Sequence, residues 1–276
     1  MIKINKLFPY VLIMLLAGTA SFAQESKIDK VTVPFSDPSR PGLVRVDVYK
    51  GAITIKGYNG KEVIVEALVR GKIISEKKEV REKAKGMKLI QIASTGLEIE
   101  EENNVMDIDV EAQKYTVDLS IQVPYSTSLE LESYSDGDII VENVKGEIEV
   151  EKYRGEIKLS DISGSVVAQT YSGNIVVTFS KVDPGKLMSF TNYHGDLDVT
   201  FPANTRASVK MKSNQGDIYS DFDISISPSP PKVETPEKKG ETYRVSFDYI
   251  YGTINGGGPE FHFKTYKGDI YIRKAK

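Results

Sequence analysis

Apolar and polar residues alternate along most of this chain, and from Tyr134 to Phe179 the alternation repeats every nine residues. A glycine begins each unit, a polar or small residue follows it, and apolar residues stand at the second and fourth positions after it. Such alternation is typical of a strand with one buried face, and a glycine at fixed phase marks the preceding turn. The pattern predicts stacked units around one continuous core. The predicted structural turn glycines are Gly137, Gly146, Gly155, Gly164 and Gly173, with Gly195, Gly216 and Gly268 in later copies of the motif.

A second period runs through the same stretch, because the residues two positions before the glycines alternate between aliphatic residues and tyrosine. They are Val144, Tyr153, Ile162 and Tyr171. Two nine-residue units therefore form one eighteen-residue coil, with tyrosine stacking on tyrosine from coil to coil. This predicts an all-β fold, a β-solenoid with about two short strands per coil. We expect a right-handed coil, although the residues do not decide the handedness.

An up-and-down sheet of hairpins is the alternative, since nine residues also suffice for a strand and a tight turn. The dipeptides Asn-Gly and Asp-Gly, which favour two-residue hairpin turns, occur only at Asn59-Gly60, Asp136-Gly137 and Asn255-Gly256. Their scarcity within the repeat favours the solenoid.

Two segments interrupt the strand pattern. The stretch from Ser75 to Gly86 is rich in helix formers, with Ser75 as an N-cap and Gly86 as a C-terminal glycine. It predicts one short surface helix that caps an end of the solenoid. The stretch from Ser227 to Thr242 is rich in Pro, Lys and Glu, and it predicts a mobile excursion.

The first 23 residues have the pattern of a secretory signal. Lys3 and Lys6 precede an apolar run from Leu7 to Ala17, and Ser21-Phe22-Ala23 has the small-x-small form of a cleavage site. An uncleaved anchor helix is the alternative, although the run is short for a bilayer. We therefore expect a signal peptide (1–23), an N-terminal β-region with the short capping helix (24–130) and a continuous repeat-containing solenoid region (131–276). After removal of the signal we expect no transmembrane segment, and a periplasmic, cell-surface or extracellular location.

Composition narrows the range of functions. The formal net charge is −3 with both signs mixed along the chain, and without a polybasic segment nucleic acid is not an expected partner. The sequence contains no cysteine, which excludes disulfides, thiolate metal sites and a cysteine nucleophile. The same absence indicates that the protein is not a lipoprotein.

Two groups of acidic residues invite a chemical interpretation. The stretch from Glu98 to Asp109 could bind Ca²⁺, but it lacks the DxDxDG spacing, and a solvated loop is the favoured interpretation. The residues after the glycines could line one edge of the stack and bind cations or act as an acid/base pair. Solvated turn residues are the favoured alternative. This series is Asp138, Glu147, Glu156, Ser165, Asn174, Asp196, Asp217 and Asp269.

A tyrosine series supplies the candidate ligand contacts, with Tyr134 one position out of its register. Its rings could stack against sugars, or against each other as a purely structural ladder, and the absence of Trp weakens the sugar interpretation. The candidate contacts are Tyr153, Tyr171, Tyr193 and Tyr266. His194 and His262 have no partner at metal-ligand spacing, and no hydrolase, P-loop or zinc motif occurs. We therefore predict no catalytic, metal-binding or cofactor-binding residues, and no cofactor.

The motifs together resemble a known family. Repeated GDI units, the Pro-containing turns at Val123 to Leu129 and Phe201 to Ala207, and the terminal GGGPEFHFKTYKGDIYI look like the bacterial "putative adhesin" domain of unknown function. The likeness covers about Leu43 to Ile272. It implies a β-solenoid and an exported or envelope-associated protein, and it supplies no catalytic residues. The inserted Pro-rich stretch and the missing lipobox cysteine depart from the family pattern.

These observations predict a non-enzymatic, adhesin-like binding or structural module of the cell envelope. A cell-surface glycan or an envelope protein is the candidate partner, and the sequence does not identify it. The alternatives are a carbohydrate-active enzyme on a β-helix and an envelope sensor or scaffold that binds another protein.

Overall fold

The computed structural model describes residues 28–70, 95–110, 115–228, 232–234, 244–246 and 249–276, and this part of the chain is all-β. The strands in chain order are β1 (Ile28–Pro34), β2 (Leu43–Lys50), β3 (Ile53–Tyr58), β4 (Glu62–Arg70), β5 (Leu97–Glu102), β6 (Val105–Val110), β7 (Thr116–Pro124), β8 (Ser128–Ser135), β9 (Ile139–Glu142), β10 (Ile148–Arg154), β11 (Ile157–Ile162), β12 (Val166–Ser172), β13 (Ile175–Phe179), β14 (Met188–His194), β15 (Leu197–Phe201), β16 (Ala207–Gln215), β17 (Ile218–Ser220), β18 (Ile224–Ser227), β19 (Lys232–Glu234), β20 (Arg244–Ser246), β21 (Ile250–Ile254), β22 (Glu260–Lys267) and β23 (Ile270–Lys274).

Three predictions concern segments beyond these ranges. The signal peptide at 1–23 and the capping helix from Ser75 to Gly86 lie outside the described residues. Of the Pro-rich stretch, the structure describes Ser227, at the end of β18, Pro228, and the strand β19, which pairs antiparallel with β20. Nowhere in the described ranges is there a helix long and apolar enough to cross a membrane.

Two large sheets form the body of the protein. Sheet A has the order β1-β4-β7-β3-β9-β11-β13-β15-β23-β17, and sheet B has the order β18-β21-β16-β22-β14-β12-β10-β8-β2-β6-β5. From β8 to β15 consecutive strands alternate between the two sheets, so that each coil contributes one strand to each sheet. Neighbouring strands in this central part are parallel, which excludes the hairpin alternative and gives a β-solenoid-like repeat.

The strand register converts the sequence period into columns of equivalent residues. In sheet A, Ile139, Ile157 and Ile175 are direct neighbours on successive strands. Their side chains point inward, as do those at every second position of the central strands, and they form one buried core between the sheets. Alternation thus places one set of residues in the core and the other on the outer faces.

The turn glycines lie where the backbones of successive coils approach most closely. A Cβ atom added to Gly173 would lie 2.0 Å from the carbonyl oxygen of Gly155, and one added to Gly164 would lie 1.9 Å from that of Gly146. Gly173 also has a φ angle of +146°, which L-residues rarely adopt. Gly137, Gly155 and Gly173 line one edge of the solenoid, whereas Gly146 and Gly164 line the other.

At both ends the spatial order of the coils differs from the chain order. The coil of β6 and β7 lies outside the earlier coil of β2 and β3, and the coil of β16 and β17 lies outside the later coil of β22 and β23. Antiparallel strands then extend the sheets beyond these outer coils, with β5, β4 and β1 at one end and β21 and β18 at the other. These strands occupy backbone groups that the outermost coils would otherwise leave unpaired.

We expect Gly173→Ala to lower the free energy of unfolding by about 2–4 kcal/mol, because the added methyl group meets a backbone carbonyl and the φ angle is strained. Gly185→Ala is the matched control, since the nearest atom to its added Cβ, Asp183 Oδ1, lies 3.6 Å away. Urea unfolding followed by circular dichroism measures both variants. Equal stability of the two would contradict the assigned close approach.

Candidate binding surface

Six tyrosine rings form one continuous stack along the outer face of sheet B. Neighbouring ring centroids are 4.6–5.3 Å apart and the planes differ by at most 9°. The stack consists of Tyr49, Tyr134, Tyr153, Tyr171, Tyr193 and Tyr266. It therefore contains the four candidate residues from the sequence, and it extends to two more tyrosines at one end.

Tyr134 joins the stack although its spacing from the next glycine is one residue longer. Strand pairing places Ser133 beside Lys152, so that Tyr134 lies beside Tyr153. The extra residue, Asp136, is absorbed in the turn with a φ angle of +55°. The offset in the sequence is therefore a feature of the turn and leaves the strand register unchanged.

The stack exposes ring edges, because neighbouring rings cover the ring faces. Tyr171 is 45% exposed and Tyr193 is 39% exposed, although each is stacked on both sides. The hydroxyl groups of Tyr153, Tyr171 and Tyr193 make no hydrogen bond to another residue in the described ranges. Face-on stacking against a sugar ring is thus blocked within the stack, while edge contacts and hydrogen bonds from the hydroxyls remain available.

A row of polar side chains runs parallel to the stack, two residues before each tyrosine. Together with the five rings from Tyr134 to Tyr266, the members of this row from Asp47 to Lys264 line a surface groove of about 810 Å³. Across sheet B, strand pairing sets its order as Asp47, Glu132, Glu151, Gln169, Thr191, Lys264 and Lys212. The row changes from acidic through neutral to basic. In the sequence this row is marked by the position two before each tyrosine, and the residues after the glycines do not reveal it.

Like charges are crowded in each half of this face. Burial and the neighbouring carboxylates of Asp47 and Glu151 raise the pKa of Glu132. At the other end, burial and the nearby ammonium group of Lys210 lower the pKa of His262. The ammonium group of Lys210 lies over the ring of Tyr249, 4.5 Å from its centroid. The face is therefore electrostatically polarised across the strands.

Beneath the tyrosines, inward-facing polar residues hold the turns together. Asn192 donates to the carbonyl oxygen of Gly173 at 3.3 Å, and Ser213 donates to that of Gly268 at 2.9 Å. Lys152 occupies the equivalent position on β10, where its Nζ donates to Ser133 Oγ at 3.1 Å. Burial lowers the pKa of this lysine, against the opposing influence of nearby aspartates.

Four residues of the series after the glycines serve as backbone acceptors. Asp138 Oδ1 accepts a hydrogen bond from the backbone N–H of Glu156 at 2.9 Å, and Asn174, Asp196 and Asp269 accept the equivalent bonds from the next coil at 2.8–2.9 Å. Glu147 instead forms an ion pair with Lys186. The structure thus gives much of this series a structural role, in place of the cation-binding or acid/base role considered from the sequence.

The acidic stretch from Glu98 to Asp109 is a strand pair, so the expectation of a solvated loop is wrong. Only Asn103 and Asn104 form the turn between β5 and β6, both with positive φ angles, and the strands pair antiparallel. Glu101 accepts hydrogen bonds from Ser36 and from the backbone of Asn104. In the described ranges, no group of three or more His, Cys, Asp or Glu side chains is placed to hold a metal ion.

The two histidines lie on the outer face of sheet B, apart from each other. His194 packs edge-on against Tyr193, with a centroid distance of 4.7 Å and an interplanar angle of 87°. His262 packs against Tyr249. Both contacts are ring packing.

We expect Tyr171→Ala to lower the free energy of unfolding by about 1–3 kcal/mol, because it removes two ring pairs. Tyr171→Phe keeps both pairs and should stay within about 0.5 kcal/mol of the parent chain. Urea unfolding of the three proteins measures the difference. An alanine variant as stable as the phenylalanine variant would show that the stack contributes nothing.

We expect Lys152→Met to stabilise the protein at neutral pH, because the folded state no longer buries an ammonium group. The folded pKa of Lys152 lies below its unfolded value of about 10.4. The parent chain therefore regains stability as the pH rises from the folded pKa of Lys152 to its unfolded pKa. The stability advantage of the variant should shrink over the same range and vanish near about pH 10.4. Unfolding at several pH values checks this, with the exposed Lys158→Met as control. An advantage that does not change with pH would contradict it.

Comparisons with known proteins were made for both sequence and structure. Solved structures similar to this chain include a "putative cell adhesion protein" of Clostridium sporogenes, 11% identical, with a TM-score of 0.49 over 91% of this chain and 100% of that one. They also include a "putative adhesin" of Bacteroides fragilis, 8% identical, with a TM-score of 0.33 over 90% and 97%. A "putative lipid binding protein" of Parabacteroides distasonis is 7% identical, with a TM-score of 0.31 over 92% and 98%. Because these TM-scores lie below 0.5, none of the three supports an assignment.

The family comparison is decisive. No curated protein matches the chain, but the model of one family matches residues 83–273, which is more than half of the sequence. The match confirms the resemblance read from the repeated motifs. The chain belongs to the Toastrack DUF4097 family.

Proposed function

We propose that this protein is an exported, non-enzymatic and adhesin-like binding module of the cell envelope, and that the outer face of sheet B is its contact surface. The proposed export rests on the signal pattern in residues 1–23. The proposed location is the periplasm, the cell surface or the extracellular space.

The observation that carries the proposal is the groove beside the tyrosine stack. It measures about 810 Å³ and combines a rigid aromatic wall with a row of carboxylate, amide, hydroxyl and ammonium groups. Tyrosine offers a large contact area at low conformational cost. Stacking on both sides also fixes these rings before a partner arrives, which reduces the entropic cost of binding.

Because the ring faces within the stack are covered, the surface is better suited to a protein ligand than to a glycan. Sugars bind aromatic rings mainly through the ring face, and this stack presents edges. A glycan that bound along the stack would therefore rely on hydrogen bonds to the hydroxyls and to the neighbouring polar row, since only the end rings, Tyr49 and Tyr266, are stacked on one side alone. A protein surface needs no access to the ring faces, and the geometry favours it over a glycan.

We expect the triple variant Tyr153→Phe, Tyr171→Phe and Tyr193→Phe to bind envelope material at least fivefold more weakly than the parent. The variant keeps the ring stack, so a loss reports on hydroxyl contacts. The measurement is binding of the labelled mature chain, from Gln24 onward, to isolated envelopes of the producing bacterium, alongside a glycan array.

The matched control changes a second tyrosine stack on the opposite side of the molecule. Tyr219 and Tyr271 stack on the outer face of sheet A, with centroids 5.3 Å apart. Tyr219→Phe with Tyr271→Phe removes two stacked hydroxyls there, which donate to Asp217 and Asp269. Equal loss in both variants, or loss only in the control, would remove the outer face of sheet B as the contact surface.

A further inference from the structure

Across strands β8 to β16, the outer face of sheet B separates most of its charges by sign. Two residues depart from this pattern: Arg45 of the neighbouring strand β2 forms an ion pair with Glu130, and Glu260 stands on β22. Strands β8 and β10 present carboxylates, and strands β22 and β16 present cationic side chains at equivalent register positions. The acidic half consists of Glu130, Glu132, Glu149 and Glu151. The basic half consists of Lys210, Lys212 and Lys264, and His262 lies among them.

The two strands between these halves carry no charge on the outer face. Strand β12 presents Val167 and Gln169, and strand β14 presents Ser189 and Thr191. Val167 is 43% exposed, and the rings of Tyr171 and Tyr193 continue the same two strands. A neutral, partly apolar and aromatic centre with charges at its margins is the usual composition of a protein–protein interface.

We propose that the partner of this face is a second copy of the same chain, packed face to face about a two-fold axis that runs parallel to the strands between β12 and β14. The inference rests on the binding role proposed for this face, and it names the partner. A two-fold interface must be self-complementary. This face meets that condition because its acidic and basic halves lie on opposite sides of a neutral centre.

The axis determines which side chains meet. A rotation about a line between β12 and β14 places β10 opposite β22 of the second copy, and β8 opposite β16. Glu151 then faces Lys264 of the second copy, and Glu132 faces Lys212. An in-plane axis perpendicular to the strands would instead place acid on acid. Only the axis parallel to the strands gives complementarity, and it also sets one tyrosine stack alongside the other.

The dimensions of the face suit such a pair. Both copies have the same strand spacing of about 4.8 Å, so that matched rows remain in phase across the interface. Six strands from β8 to β16, each about seven residues long, cover roughly 600 Å². That area is close to the approximately 800 Å² per partner of a standard interface.

Pairing would also relieve the crowding within each copy. Burial and the neighbouring carboxylates raise the pKa of Glu132, and burial and the nearby Lys210 lower that of His262. In the pair Glu132 gains the opposite charge of Lys212 from the second copy. The attraction should weaken with salt, because the contributing charges lie at a partly exposed margin.

The test is a charge swap followed by sedimentation velocity of the mature chain at about 0.05 M and about 0.5 M NaCl. One variant reverses the basic half (Lys210→Glu, Lys212→Glu, Lys264→Glu), and another reverses the acidic half (Glu132→Lys, Glu149→Lys, Glu151→Lys). The control is Lys56→Glu with Lys158→Glu on the outer face of sheet A. If a triple variant fails to fold, the single changes Lys264→Glu and Glu151→Lys replace it.

We expect the parent and the control to dimerise at low salt, with at least a tenfold higher dissociation constant at high salt. Each reversed variant alone should be monomeric, and a mixture of the two should form a one-to-one pair. A parent chain that stays monomeric at low salt, reversed variants that dimerise like the parent, or a mixture that does not associate overturns the inference. A monomeric parent whose envelope binding still depends on the tyrosine hydroxyls would leave the proposed function standing.

Discussion

The structure depends on how closely the backbones of successive coils approach at their turns. At Gly173 and Gly164 the carbonyl oxygen of the preceding coil occupies the space that any side chain would need. This contact fixes the phase of each coil relative to the next. Parallel strands do not set their register by hairpin turns, so here the glycine turns perform that function. The backbone acceptors at Asp138 and Asn174 then pin the same turns with hydrogen bonds.

Once the phase is fixed, equivalent side chains must form columns. Most inward columns form the core. One inward column is polar, and its residues, such as Asn192 and Ser213, donate hydrogen bonds to the carbonyl oxygens of the turns. Outward columns are free of packing constraints from the core. The tyrosine stack is one of these columns, and its spacing follows from the separation of strands in the sheet.

Much of this could be predicted from the sequence, because the repeat is local. The glycine phase and the alternation with tyrosine predict two strands per coil and a ring stack, and the described structure has both. The exchanged order of the outer coils could not be predicted, since it depends on pairing between distant segments such as β7 with β3 and β16 with β22. Counting back from Gly137 places Tyr134 one position out of the tyrosine register. The count fails there because the turn contains one extra residue. The glycine motif does not predict the charge row, because the informative positions lie two before the tyrosines and not after the glycines.

The outer face of sheet B pairs opposite charges at β2, where Arg45 forms ion pairs with Glu130 and Asp107, but like charges are neighbours farther across the face. This contrast argues that the polarity of strands β8 to β16 serves more than folding. On sheet A, Arg273 forms a two-pronged ion pair with Asp198 of the neighbouring strand, at 2.6 and 2.8 Å. Cross-strand pairs of opposite sign stabilise a sheet, whereas like charges side by side destabilise it. On sheet B, Glu132 and Glu151 are nonetheless direct neighbours, as are Lys264 and Lys212. Opposite signs at the positions of Glu132 and Glu151 would stabilise the isolated chain more. With the charges segregated, the face changes from acidic to basic along the solenoid axis. Such a gradient can orient a binding partner, but it contributes nothing to the stability of an isolated sheet.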